Sequence, residues 1–233
     1  MLLHFINNSW LALLLTVICS YLLGSISFAI IVTKLFSKKD IRDFGSGNAG
    51  ATNVLRSQGK LPALLTTIGD LTKGIVSVYL GGYLLTNLQL LSHTEVCASF
   101  PLCDPENLAL MGNYLAGFFC IIGHMYPIFF RFRGGKGVMT TAGMLLFLDW
   151  RATVTLLAVF ILVVLITRMV SLGSIVVAAA LPIVTYCYRA FWYQQGPVTV
   201  GFCTLCMAII GLIVILKHRE NLKRIISGTE NKI

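Results

Sequence analysis

Three glycines, four neutral hydrogen-bonding side chains and a trailing arginine crowd into Gly45-Ser46-Gly47-Asn48-Ala49-Gly50-Ala51-Thr52-Asn53 and Arg56. Glycines permit positive φ and a close backbone approach. Successive backbone N–H groups in such a stretch can form a nest for an anion. Ser46, Asn48, Thr52 and Asn53 add neutral donors, and Arg56 adds a planar cation that matches phosphate oxygens. No acidic residue lies between Phe44 and Lys60, as an anion site prefers. The chemistry these residues suit is phosphate holding. A flexible loop of ordinary turn residues is the plainer alternative. The nucleotide P-loop pattern G-x-x-x-x-G-K-S/T is absent.

Two further clusters carry similar chemistry. In Phe132-Arg133-Gly134-Gly135-Lys136-Gly137, glycines around a lysine again suit close approach to an anion, though Lys136 also fits a membrane-flanking charge. In Lys217-His218-Arg219-Glu220-Asn221, His218 and Asn221 are three residues apart and share a face if the helix continues. A tail lying on anionic lipid is the alternative there. Ionisable residues inside apolar runs invite a functional hypothesis. Asp70 and Lys73 stand three apart and can neutralise each other, and His124 precedes Pro127 by three residues.

The elements that position these residues are membrane helices. The chain of 233 residues is 57% hydrophobic and only 12% charged, with a mean hydropathy of +0.84. A soluble domain of this length needs far more polar surface. A spanning helix needs about 20 apolar residues. The apolar runs predict seven segments, 10–33, 61–85, 108–130, 137–149, 152–168, 172–188 and 199–216, of which the fourth is short. The net charge of +9 sits between apolar runs, so it reads as topology signal and anionic-lipid contact, with no nucleic acid as partner. With residues 34–60 inside, the 86–107 loop is outside and carries Glu95, Asp104 and Glu106 without Lys or Arg. Seven crossings then place fifteen of the 18 Lys and Arg inside, leaving Arg151 and Arg189 outside and Lys73 within a segment. The predicted fold class is all-α integral membrane, with seven transmembrane helices, the N-terminus out and the C-terminus in. The first apolar run has no basic residue before it and no clear cleavage pattern after it, so it reads as a span and not as a removed signal peptide. No repeat or long linker divides the chain, which predicts a single polytopic membrane domain over 1–233.

The seven cysteines do not form a disulfide framework. Cys19, Cys120, Cys187, Cys203 and Cys206 fall in apolar stretches, and the C-x-x-C of Cys203 and Cys206 lacks a partner pair for a metal. Cys97 and Cys103 share a polar loop and can bridge in an oxidising compartment.

Taken in order, the motifs resemble the acyl-phosphate:glycerol-3-phosphate acyltransferase family of bacterial membranes. The resemblance runs through Gly24-Ser25-Ile26-Ser27 on the first helix, Asp40-Ile41-Arg42, Gly45 to Arg56, and Asp70-x-x-Lys73-Gly74. It continues through Gly123-His124-x-x-Pro127, Gly134-Gly135-Lys136-Gly137, Ser171-Leu172-Gly173-Ser174 and His218-Arg219-Glu220-Asn221-x-x-Arg224. Many members have proline where Ser27 stands and often arginine where Lys34 stands, and the 86–107 loop is longer than usual. The resemblance implies transfer of a fatty acyl group from acyl phosphate to the 1-hydroxyl of glycerol 3-phosphate. The products are lysophosphatidic acid and phosphate, the first step of phospholipid biosynthesis. It also implies a bacterial cytoplasmic membrane with the site toward the cytoplasm, no cofactor, no metal and no obligatory protein partner.

On that basis Gly45, Ser46, Gly47, Asn48, Gly50, Ala51, Thr52 and Asn53 wrap a phosphate. Arg56 and Lys136 neutralise charge between the two substrates, with Arg42 nearby. Ser25, Ser174, His218 and Asn221 position the glycerol moiety or its hydroxyl. The resemblance favours proton removal by a substrate phosphate, with His218 as general base the competing idea. The scheme expects Arg56, Lys136 and His218 to converge at the inner leaflet. A transporter of a phosphorylated solute is the reading from another class. It suits intramembrane polar groups, but the polar residues gather on one face and no paired halves are evident. A scaffold protein would leave the glycine loop unexplained.

Overall fold

The computed structural model describes residues 2–90 and 105–232, and every regular element among them is helical. Cys97 and Cys103 lie outside the described residues. The chain divides into two compact units, Met1–Leu148 and Asp149–Ile233. The first holds α1 (Leu2–Gly24), α2 (Phe28–Ser37), α3 (Ala51–Gln58), α4 (Lys60–Leu90), α5 (Pro105–Met125) and α6 (Val138–Leu148). Short 3-10 turns stand at Ile41–Asp43 and Ile128–Phe130.

The first span is not the continuous helix that its hydropathy implies. The apolar run covers Leu11–Ser37, 27 residues, which exceeds the roughly 20 a single crossing needs. It breaks at Ser25-Ile26-Ser27 and restarts at Phe28 from an extended Ser27. At the break Gly24 presses against α5, where a Cβ would strike the carbonyl of Cys120. The Ser25 hydroxyl donates back to the Tyr21 carbonyl at 2.8 Å. Small residues of this kind let membrane helices approach backbone to backbone.

The short fourth segment is α6, with 11 residues. At 1.5 Å per residue it rises only about 16 Å, against a hydrocarbon core of roughly 30 Å. Its Thr140, Thr141, Gly143, Met144 and Leu145 are buried, and it lies along α4. Gly143 seats on the backbone of Leu71, where a Cβ would overlap the Leu71 carbonyl. Six stretches among the described residues are long and apolar enough to cross a membrane, and α6 is a shorter apolar helix beside them.

The second unit holds α7 (Trp150–Thr167), α8 (Val170–Cys187), a π-helical turn at Tyr188–Trp192, α9 (Pro197–Lys217) and α10 (Arg219–Ile226). Asp149 caps α7, accepting the N–H groups of Arg151 and Ala152. Along α7, Leu157, Ile161, Leu162, Leu165 and Ile166 are all exposed. A contiguous apolar face of this kind suits lipid and would be a liability in water. α10 is polar on one side, and its Asn221 is buried.

The tail folds back on this unit. Glu230 accepts hydrogen bonds from Ser171 Oγ at 2.8 Å, Asn221 Nδ2 at 2.8 Å and Arg224 Nε at 2.7 Å. One carboxylate thereby joins α8, α10 and the terminal segment. Burial pushes the Glu230 carboxyl up, but hydrogen bonds from Asn221, Ser171 and Arg224 outweigh that and hold it below its ordinary value of 4.5.

Two outcomes follow from this packing. Gly143→Val is expected to cost about 1–3 kcal/mol by forcing α4 and α6 apart, read as a lower unfolding temperature in detergent. Gly201→Ala, at a site with nothing within 4 Å, is expected to leave that temperature unchanged or slightly raised; equal behaviour of the two variants would contradict the close packing. For the tail, a depressed carboxyl contributes fully above its unfolded value and loses its contribution as pH falls through the folded one. Hydrogen exchange of the 227–232 amides, corrected for intrinsic rates, is expected to stay slow down to about pH 4.5 and quicken below it. In Glu230→Gln it should already be fast at neutral pH.

Candidate functional site

The glycine loop begins from a tight turn. Asp40 caps the Ile41–Asp43 turn by accepting the N–H of Arg42. Gly45 and Gly47 then take φ of +53° and +67°, the left-handed region where glycine carries no Cβ penalty. The Gly47 N–H donates to the Phe44 carbonyl at 2.9 Å, and the Gly50 N–H to that of Asn48 at 3.0 Å. Asn53, buried in the first turn of α3, organises the loop from beneath. Its Nδ2 donates to the carbonyls of Ile41 at 3.2 Å, Phe44 at 2.9 Å and Asn48 at 3.1 Å. Its Oδ1 accepts the N–H of Ser46 at 3.2 Å. Asn53 therefore shapes the loop, with its own polar atoms engaged on loop backbone.

α3 starts where the loop ends. Gly50 is its N-cap, no side chain caps it, and its first turn holds no acidic residue. The first N–H groups of a helix lack intrahelical partners, and the helix dipole makes that end partially positive. Ala51 and Thr52 stand at this end, with Asn48 just before it. Such an end is a ready anion seat. Arg56 lies on the last turn of the same short helix and is exposed.

A second loop runs alongside. Between α5 and α6 the chain turns through Arg131 and Phe132, both at φ +57°, and Gly137 at φ +85°. The N–H groups of Gly134 and Gly135 return to the carbonyls of Met125 at 3.3 Å and His124 at 3.1 Å. Gly135 lies between the His124 imidazole and the glycine loop, so that a Cβ there would stand 2.7 Å from the Ala49 carbonyl oxygen. Lys136, half-buried, follows at this seam.

Arg42 ties the two loops. Its guanidinium pairs with Asp40 at 2.7 Å, and its Nη1 donates to the carbonyls of Phe130 at 2.7 Å and Arg133 at 3.3 Å. The hydrogen bond to Asp40 raises the Arg42 pKa. The same contact holds the Asp40 carboxyl below its ordinary value. Arg42 acts here as a strut. An open cavity of about 470 Å³ lies beside it, lined by Asp40, Arg42, Asp43, Ser46, Gly47, Arg131 and Arg133. Ser25 joins the same neighbourhood from the break in the first span, where its Oγ accepts the N–H of Ile128 at 3.4 Å. In the first unit the structure thus brings Ser25, Arg42, the glycine loop and the Gly-Lys loop together.

The second unit carries the remaining candidates. His218 is buried at the junction of α9 and α10, and its Nδ1 lies 2.8 Å from the Val214 carbonyl. A carbonyl only accepts, so Nδ1 carries the proton and Nε2 is the basic nitrogen of the neutral ring. The Asn221 amide donates to Glu230. The Ser174 hydroxyl donates to the Val170 carbonyl of its own helix at 3.0 Å.

Two features of these sites escaped the sequence reading. Glu230 lies beyond the last motif and carries no local signal. The break at 25–27 had one, since two serines interrupt an apolar run too long for one crossing. Among the described residues there is no group of three or more His, Cys, Asp or Glu suited to a metal.

A family model described as glycerol-3-phosphate acyltransferase matches residues 14–228. The chain is 40% identical over 219 residues to the glycerol-3-phosphate acyltransferase of Syntrophomonas wolfei, covering 94% of this chain and 95% of the relative. It is 37% identical over 220 residues to that of Photobacterium profundum, covering 94% and 92%. Among solved structures it is similar to a crystal structure of PlsY (YgiH), an integral membrane glycerol 3-phosphate acyltransferase, in its glycerol 3-phosphate form. That match has a TM-score of 0.71 and 33% identity, and covers 95% of each chain. The lysophosphatidic acid form of that enzyme matches with a TM-score of 0.69 at 32% identity, with 95% of each chain covered. Matched over nearly its whole length by these membrane enzymes, the chain is a multi-pass membrane protein and belongs to the glycerol-3-phosphate acyltransferase family.

Proposed function

We propose that the protein transfers a fatty acyl group from acyl phosphate to the 1-hydroxyl of glycerol 3-phosphate, releasing lysophosphatidic acid and phosphate. The observation that carries this reading is the seam between the two loops. There an uncapped helix N-terminus and a glycine-flanked lysine stand side by side in one unit. The substrates of this reaction both carry phosphate, and one carries a lipid tail. An apolar helical chain with such a seam suits both properties. The names of the relatives and the two liganded forms of the solved enzyme support the acceptor and the product. Acyl phosphate as donor is this reading's own step.

In the proposed reaction the hydroxyl oxygen forms an ester bond to the acyl carbon, and the bond from that carbon to the phosphate oxygen breaks. The proton leaves to a substrate phosphate or to His218 Nε2. Acyl phosphate is a mixed anhydride with a good leaving group, so no covalent enzyme intermediate is needed. The work left to the protein is to hold two mutually repelling phosphates near each other. Orientation of that kind can supply roughly 7–11 kcal/mol. Donors aimed at the charge growing on the leaving phosphate add electrostatic stabilisation. In this assignment Ser46, Asn48, Ala51 and Thr52 offer donors to one phosphate, and Arg56 and Lys136 offset charge. Asn53 and Arg42 maintain the loops, while Ser25, Ser174, His218 and Asn221 act on the glycerol moiety. The proposal includes seven crossings with α6 as the short one, the N-terminus out, and residues 1–233 as a single domain. It places the site on the cytoplasmic side of a bacterial inner membrane, with no cofactor and no protein partner required.

Phosphate release by the purified protein in lipid should need acyl phosphate and glycerol 3-phosphate together. Solute uptake into vesicles without conversion would favour transport instead. Lys136→Ala is expected to lower kcat/KM by about 100-fold or more, and full turnover would remove Lys136 from the site. His218→Gln keeps hydrogen bonding but no basic nitrogen. A kcat within about tenfold of wild type is expected if substrate phosphate takes the proton, and a loss of about 100-fold or more if His218 does.

A further inference from the structure

Lys73 is buried within the span Lys60–Asn87, where a lone charge would be expensive. Its Nζ lies 2.9 Å from Asp70 Oδ1 and 2.9 Å from His124 Nδ1. It also donates to the carbonyls of Gly24 at 3.1 Å and Ile26 at 2.9 Å. If the lysine served only to neutralise Asp70, its contacts would end within α4. Two of them instead go to backbone carbonyls at the break in the first span, and another goes to α5. Carbonyls at a helix end lack intrahelical donors, and lipid offers none. Lys73 supplies the donors. The break it stabilises is where Ser25 accepts the N–H of Ile128.

The contact with His124 leads to the second loop. The same Nδ1 stands 3.5 Å from Asp70 Oδ1, so this edge of the imidazole is held between the ammonium and the carboxylate, and Nε2 is on the opposite edge. That Nε2 edge lies against Gly135, where any Cβ would overlap it. The Gly135 N–H donates to the His124 carbonyl, and Gly135 in turn rests beside the Ala49 carbonyl. From one ammonium group, unbroken contacts run to Ser25, to the Gly-Lys loop and to the glycine loop.

We propose that Lys73 is a positioning residue. Its ammonium, paired with Asp70, holds the broken first span and the His124 ring in the arrangement that seats Ser25 and Gly134-Gly135-Lys136-Gly137 beside the glycine loop. Lys73 acts through Ser25 and His124 and not on substrate. The activity readout rests on the acyl-transfer reading above, whereas the geometry does not.

The experiment compares wild type, Lys73→Met, Lys73→Arg, Asp70→Asn/Lys73→Met and His124→Asn in one lipid composition. It measures kcat, KM, unfolding temperature and hydrogen exchange at the 134–135 amides. Lys73→Met is expected to lower kcat by about 100-fold, the scale of a misplacement near 1 Å, with KM for glycerol 3-phosphate little changed. The double variant has no buried charge left unpaired, and it is expected to fold yet stay as slow, with faster exchange at 134–135. Lys73→Arg keeps the charge but not the point geometry and should recover only part of the rate. His124→Asn offers an acceptor in place of Nδ1 while withdrawing the ring edge from Gly135. It covers the case in which Lys73→Met fails to fold, and a lowered kcat at a retained unfolding temperature is expected. Wild-type kcat in the double variant would reduce Lys73 to neutralising Asp70 and overturn the proposal, as would wild-type exchange at 134–135. If the wild type makes no lysophosphatidic acid from acyl phosphate, the acyl-transfer reading fails, and the exchange measurement still decides the role of Lys73.

Discussion

Inside a bilayer every backbone N–H and carbonyl must find its partner within the protein, and the rest of this architecture depends on how that demand is met where the first span breaks. A continuous helix would satisfy its own backbone but would present no turn to seat Ser25 against the second loop. The break creates that turn and leaves the carbonyls of Gly24 and Ile26 without helical donors. The ammonium of Lys73 answers both carbonyls, and Asp70 balances its charge. A four-part cluster of carbonyls, lysine, carboxylate and imidazole thus replaces ordinary helix hydrogen bonds at this break.

The phosphate-suited seam is built on a similar economy. Few of its backbone positions are left to side chains that wander. Asn53 draws three loop carbonyls toward itself, and Arg42 spans from Asp40 to the carbonyls of Phe130 and Arg133. These two polar residues hold shape. Preorganisation of this sort matters because donors already in place need not reorganise when charge moves.

Much of this could be read in the amino-acid order. Apolar runs located α4 to α9 to within about five residues but ran through the break between α1 and α2 and did not show the short helices α3 and α10, while the spacing of glycines with Arg56 and Lys136 marked both loops. The helical reading succeeded because bilayer thickness imposes a length that composition reveals. The partners of individual polar residues were harder to read. Asn53 and Arg42 looked like ligands for an anion because an amide and a guanidinium suit one. Both also hold loop carbonyls, beside the Asp40 carboxylate for Arg42 and the Ser46 N–H for Asn53, and a sequence does not display such partners. Glu230 was invisible for a related reason, since its partners Ser171, Asn221 and Arg224 meet it only after the tail folds back. Asp70 and Lys73 were seen as a pair, but the reach of Lys73 to the first helix is a tertiary fact.

Where Gly135 meets Ala49, main chain rests on main chain. The spacing of the two loops is therefore set by main-chain atoms, with no rotamer to widen or narrow it, and it holds only while position 135 carries no Cβ. Any preference for one acyl tail over another must then be written in the side chains of the surrounding helices, because the seam itself has no vocabulary in which to express it.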